Sequence, residues 1–444
     1  MTPVTYRCHN HERGHAATIA EAATAIDLPG PNTDPSDWMN HKNINNHNKS
    51  ITKRDDLAIN GAEPAFGDPL HVGRPNIGNR ELFLQYTEQI LDSRWLTNNG
   101  PVVRELEEKI AEYHNVAQCV AMCSGTIALE IAIRALKLAG EVVVPSYTYI
   151  ATAHALHWQG IRPVFADIDP KTHNLDPAAV RRALSDKTTG IIGVHLWGRT
   201  AAVEALQAIA TEHQLKLIFD AAHAFGCSHQ GTKVGAFGDC EVLSFHATKF
   251  FHTFEGGAVL TNDARLAEKM RLMRNFGFAG VDNVIYPGTN GKMTEISAAM
   301  GVSNLQAIEK VVKHNHQIHE AYRQALTDIS GLKLLEFNQS ESNNYQYAVV
   351  EISEDCPISR DRIVEVLHAE NILARRYFWP GCHNMKPYRD LYPEANQSLP
   401  FTEQVSERVI VLPTGACMDR ASVNTVASVL QVLLDDAAVD QPSV

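Results

Sequence analysis

The 444 residues carry 39 Lys+Arg against 51 Asp+Glu, a formal charge of −12, with 44% hydrophobic and 20% charged residues. That is an ordinary soluble composition, long enough for two domains, and its acidic balance argues against a nucleic-acid footprint, which needs a clustered positive field. No stretch reaches the roughly 18 uninterrupted apolar residues of a membrane helix, Met1 to Gly30 lacks the basic and apolar regions of an export signal, and the eight scattered cysteines form no C-x-x-C pair, so a cytoplasmic protein with reduced thiols is expected.

Residues 1–60 differ from the rest. The run 40–50 is Asn-rich and without apolar periodicity, and His9, His11, His15, His41 and His47 crowd near Cys8. No spacing there resembles a structural zinc site, so no metal is expected, and the segment reads as a mobile extension that buries too little apolar surface to order itself. From about residue 60 helix and strand signals alternate. Val103, Leu106, Ile110 and Tyr113 recur at helical spacing after an Asn-Asn-Gly-Pro turn. Short β-branched runs follow at 118–122, 141–144, 163–166, 190–196, 215–219, 241–245 and 257–261, with helical stretches at 126–138, 150–159, 177–185 and 201–213 between them. That alternation predicts an α/β fold, a mixed and mostly parallel seven-stranded sheet between helices. A large domain is expected over 61–300, one long helix (302–325) in a linking segment over 301–330, and a smaller C-terminal α/β domain over 331–444.

Three constellations carry chemistry. Ser124-Gly125-Thr126 follows a strand and opens a helix, where free backbone N–H groups and a hydroxyl can cradle a phosphate; alone it is also an ordinary N-cap. Asp220 ends a predicted parallel strand, where such sheets place their ligands, with His223 three residues on. Lys249 lies among Phe245, Phe250, Phe251 and Phe254, an apolar setting that favours the neutral, nucleophilic amine over a surface role. A phosphate cradle, an acid for a ring nitrogen and a lysine for a Schiff base, in this order, describe a pyridoxal phosphate site.

With Pro145-Ser146-Tyr147-Thr148-Tyr149, Val194-His195-Leu196-Trp197-Gly198 and the run 288–295, these motifs give a chain that resembles the DegT/DnrJ/EryC1/StrS sugar aminotransferases from Arg74 to about Ala438. The resemblance implies a fold-type I pyridoxal phosphate enzyme that works as a homodimer. It implies Lys249 as the Schiff-base and proton-transferring lysine and Asp220 as the partner of the pyridine nitrogen. His223 would lie beside the phenolic oxygen, Tyr149 on the ring face, and Gly125, Thr126 and Ser244 at the phosphate, with Asn290 reaching the phosphate of the neighbouring subunit. Lys292 stands where many members have Arg. That departure, together with the stretch 374–388, resembles the branch that aminates C4 of 4-keto-6-deoxy nucleotide sugars, with L-glutamate as donor. Lys292, Arg375, Arg376, Tyr377 and His383 are then candidate substrate contacts.

Other readings stay open on the sequence. An aminotransferase for a C3-keto nucleotide sugar would differ in where nitrogen enters the product, and a non-catalytic pyridoxal phosphate regulator could share the fold. A branch that removes a C3 hydroxyl uses His where Lys249 stands, which disfavours it. A plain nucleotide-binding α/β protein lacks support, since no G-x-G-x-x-G or G-x-x-x-x-G-K-[ST] run follows a strand.

Overall fold

The structure, a computed structural model, describes residues 49–397 and 399–439. The histidine-rich tract considered for metal binding, and most of the expected mobile extension, lie outside those residues.

The expected strands form, with ends shifted by a residue or two: β1 (Gln118–Met122), β2 (Glu141–Pro145), β3 (Arg162–Ala166), β4 (Thr188–Val194), β5 (Lys216–Asp220), β6 (Cys240–Ser244) and β7 (Gly257–Thr261). They make one seven-stranded sheet in the order β1-β7-β6-β5-β4-β2-β3. Only β7 runs against its neighbours, β1 and β6; the remaining pairs are parallel. The strands are buried along nearly their whole length because helices cover both faces, which is why they read as continuous apolar runs rather than alternating ones. One consequence positions the site. The carboxyl ends of β1, β2, β4, β5 and β6 share one edge of the sheet, so the residues that follow them gather in one place.

The C-terminal lobe holds an antiparallel sheet of β8 (Leu332–Leu334), β9 (Ala348–Ile352) and β10 (Val409–Leu412). Helices Arg360–Ala369 and Arg420–Val439 cover it, with Ile363, Leu367, Val423 and Leu430 in its core. Two expectations need correction here. Residues 49–60, expected in the mobile extension, and 61–71, expected in the large domain, pack on this lobe: Ile51, Leu57, Phe66 and Leu70 are buried in its core. The Glu370 carboxylate fixes them further, accepting from the Ala58 and Ala65 N–H groups at 2.6 and 2.7 Å. The single helix expected over 302–325 is two helices, Glu295–Gln306 and Ile308–Leu326, broken at Ala307. The first is enclosed on nearly every side, whereas the second presents one apolar stripe whose Ile318, Tyr322 and Leu326 join the C-terminal core. The break re-aims the chain between those two environments.

A further apolar cluster joins the two lobes. Tyr147, Trp197 and Val194 from the sheet edge meet Tyr347, Phe378, Val409 and Val411 from the C-terminal lobe. It lies beside the edge where the candidate residues converge.

Candidate active site

The cradle forms first. Ser124 caps the helix Gly125–Ala135, its hydroxyl accepting from the Ile127 N–H at 3.2 Å. That leaves the N–H groups at Gly125 and Thr126 as donors that a helix start cannot satisfy internally, together with the positive end of its dipole. Ser244, the last residue of β6, faces this turn: a Cβ placed on Gly125 would lie 3.0 Å from the Ser244 Cβ. Gly257 sits beneath, and a Cβ there would meet the Gly125 backbone at 2.5 Å, so the close approach of helix and sheet needs a glycine.

Asp220 stands at the end of β5, only 9% exposed. Its carboxylate is oriented by the Thr152 hydroxyl at 2.8 Å and the Ala222 N–H at 3.1 Å. Burial raises its pKa, opposed by these two hydrogen bonds and by the nearby Lys249 charge. His223 is buried, and its Nδ1 accepts from the Trp197 N–H at 3.3 Å, so the proton of the neutral ring belongs on Nε2. Burial, then the Lys249 charge, holds its pKa well below the usual histidine value.

Lys249 follows a turn closed by its own N–H to the His246 carbonyl at 2.8 Å. Its Nζ donates to the Tyr347 hydroxyl at 3.2 Å. Burial lowers the amine to about 8, with Asp220, Tyr377 and Tyr149 pulling it back up. A lysine so placed is a base and nucleophile near neutral pH.

The other candidates divide. Tyr149 is 60% exposed, its ring 6.5 Å from the Phe378 ring and steeply inclined to it. The Tyr377 carbonyl accepts from the Tyr147 hydroxyl at 2.7 Å, and its ring lies under the Arg375 guanidinium at 5.1 Å. Lys292 pairs by a backbone bridge with Met122, beside the cradle, and its Nζ rests 4.7 Å from the Phe276 ring centre. Asn290 is exposed, on a bridge to Asn275. Of the last two candidates, only His383 is unavailable to a substrate, since Arg376 is exposed. His383 is completely buried, its Nδ1 2.5 Å from the Ser146 hydroxyl, and it locks the turn after β2. Arg376 is turned to Asp361, 3.0 Å away, and to the Trp379 ring. Two neighbours escaped sequence reasoning. Tyr347 comes from the opposite lobe, and Thr152 is an unremarkable helix residue until folding sets it against Asp220; neither carries a local signal.

The residues present fit pyridoxal phosphate. The helix start at Gly125 lies so close to Ser244 that no Cβ fits between them without displacing it, leaving its N–H groups open beside the Ser244 hydroxyl, and an oriented carboxylate and a half-buried lysine accompany it on the same edge of the sheet. Fold and site together are those of a pyridoxal phosphate-dependent aminotransferase. Residues 78–431 match the DegT/DnrJ/EryC1/StrS aminotransferase family, and the chain belongs to that family. It is 36% identical over 348 residues to dTDP-4-amino-4,6-dideoxy-D-glucose transaminase of Shigella dysenteriae, covering 78% of this chain and 94% of that one. With GDP-perosamine synthase of Caulobacter vibrioides it shares 32% over 371 residues, 82% of this chain and 98% of the relative. Among solved structures, DesI in the presence of its TDP-sugar product superposes with a TM-score of 0.81 and 45% identity, over 87% of this chain and all of DesI.

Proposed function

We propose that the protein transfers the amino group of L-glutamate to C4 of a nucleotide-linked 4-keto-6-deoxyhexose, with dTDP-4-keto-6-deoxy-D-glucose as the favoured substrate. One observation carries the reaction class: a half-buried lysine, an oriented aspartate and a capped helix start meet at one edge of the sheet. The choice of sugar rests on the relatives, whose names include a dTDP-4-amino-4,6-dideoxy-D-glucose transaminase and a structure holding a TDP-sugar product.

When bound, pyridoxal phosphate carries the amino group between donor and acceptor and withdraws electrons from the reacting carbon. The chain's own residues do the rest. The Gly125 and Thr126 N–H groups and the Ser124 and Ser244 hydroxyls hold the phosphate. Asp220 takes the hydrogen bond of the pyridine nitrogen and keeps its proton in place. His223 donates from Nε2 to the phenolic oxygen, and Tyr149 covers the ring face. Lys249 Nζ takes the proton from the donor's α-carbon and later delivers one to the sugar carbon. Lys292 and Arg375 supply positive charge for the diphosphate or the glutamate carboxylate.

Catalysis takes place in the cytoplasm, in a homodimer whose Asn290 completes the partner's phosphate site. Among the described residues no helix is long and apolar enough to cross a membrane. The dimer makes a direct prediction: mixing inactive Lys249→Ala with inactive Asn290→Ala restores activity, because one site of each mixed dimer is intact. No recovery would refute the shared site. The substrate is tested by supplying dTDP- and GDP-linked 4-keto-6-deoxyhexoses with glutamate and locating nitrogen in the product by NMR. Nitrogen on C4 of the dTDP sugar supports the proposal; nitrogen on C3, or turnover of the GDP sugar alone, overturns it.

A further inference from the structure

Tyr347 stands immediately before β9, in the C-terminal lobe, 98 residues along the chain from Lys249. Its ring is buried and wedged between His223, at 4.7 Å between centroids, and Trp197, at 5.4 Å edge-on. Packing on two sides fixes where its hydroxyl points, and that hydroxyl receives the Lys249 amine at 3.2 Å. The preceding residue repeats the link: Gln346 Oε1 accepts from the N–H of Phe250, next to Lys249, at 3.3 Å, while its carbonyl is held by the Thr414 hydroxyl at 2.7 Å. The pair Gln346-Tyr347 therefore ties the lysine-bearing turn, by backbone and by side chain, to the sheet of the other lobe.

We infer that Tyr347 is a positioning residue for the catalytic lysine, its hydroxyl holding the Lys249 amine in place whenever that amine is not bonded to cofactor or substrate. The inference rests on the assignment of Lys249 above. Between the two halves of a transamination the lysine is free on a flexible four-carbon stem, and a proton acceptor that wanders loses the alignment proton transfer needs. A phenol suits the task. Burial keeps its proton on, so it remains neutral and favours the ammonium less than a second carboxylate would. The other ionisable groups facing the amine are Asp220, His223, Tyr377 and Tyr149.

The test measures the amine itself. Lys249 of the cofactor-free protein is acetylated with acetic anhydride at a series of pH values, and its labelling is followed by peptide mass spectrometry. The wild-type midpoint is expected at about 8. Tyr347→Phe, which keeps the ring packing, removes a hydrogen bond to a charged group and is expected to lower the midpoint by about one pH unit, a tenfold change in protonation. In the loaded enzyme kcat should fall while KM for glutamate stays put. Tyr347→Met, of similar bulk and without the hydroxyl, makes the same prediction should the first variant not fold. An unmoved midpoint with unchanged kcat overturns the inference. Borohydride trapping separates that failure from a deeper one. Cofactor fixed on Lys249 leaves the proposed function standing, and cofactor fixed elsewhere removes its basis.

Discussion

Replacing Lys249 with methionine should make the cofactor-free protein more stable at neutral pH. The lysine titrates at about 8 instead of its ordinary 10.5, because burial disfavours the ammonium. Each pH unit of that displacement corresponds to about 1.4 kcal/mol, so the charged side chain costs the native state up to about 3 kcal/mol, less for the surface the residue retains. The sign follows from proton counting. Between pH 8 and 10.5 the unfolded chain binds more protons than the folded one, so wild-type stability rises with pH across that window. Below 8 both states are protonated and the cost is complete; above 10.5 neither is, and it vanishes. Lys249→Met lacks this dependence, and titrating groups other than Asp220 and His223, which feel the Lys249 charge, cancel in the comparison. Urea unfolding of both cofactor-free proteins, at one protein concentration and from pH 7 to 10.5, should show the variant about 2–3 kcal/mol more stable at pH 7, the gap closing as pH rises. A variant less stable at pH 7, or a gap independent of pH, would refute the buried-amine argument. Such a cost suits a catalytic group, which keeps strain that packing alone would remove.

Asp220→Asn should keep the fold, since the amide oxygen still accepts from Thr152, while kcat falls by at least about 100-fold as the ring nitrogen loses its proton; near-wild-type turnover would contradict the assignment. Gly125→Ala places a methyl 3.0 Å from the Ser244 Cβ and 3.2 Å from its Cα, and should weaken pyridoxal phosphate binding by roughly 10- to 100-fold in an absorbance titration while costing the cofactor-free protein about 1–3 kcal/mol in urea unfolding; unchanged binding would contradict the cradle. Leu57→Ala removes a 2% exposed side chain from the C-terminal core and should cost about 2–5 kcal/mol in urea unfolding; no loss would restore the view of residues 49–60 as a dispensable tail.

The fold was legible because a doubly covered parallel sheet writes itself as short apolar runs, and all seven appeared in place. Ser124-Gly125-Thr126, Asp220 and Lys249 were legible for the same reason: each sits beside a strand end, where chemistry and topology coincide. What escaped depended on contacts remote in sequence. Leu57 opens a short apolar run, Leu57-Ala58-Ile59, after a polar stretch, and only Glu370, more than 300 residues away, fastens the backbone around it. Ala307 breaks a helix without glycine or proline, since the cause is a change of surroundings. His383 has the appearance of a pocket histidine, and only folding reveals that Ser146 occupies its Nδ1. Tyr347 is one of two tyrosines two positions apart, with Tyr345, and nothing local says which faces Lys249.

The most direct test of the central claim is an absorbance scan of the purified protein, with pyridoxal phosphate and then L-glutamate added. The expected result is a visible band from lysine-bound cofactor that glutamate converts to the near-ultraviolet band of the amine form, with Lys249→Ala showing neither. A protein that develops no visible band, or whose band is unmoved by glutamate, would contradict it.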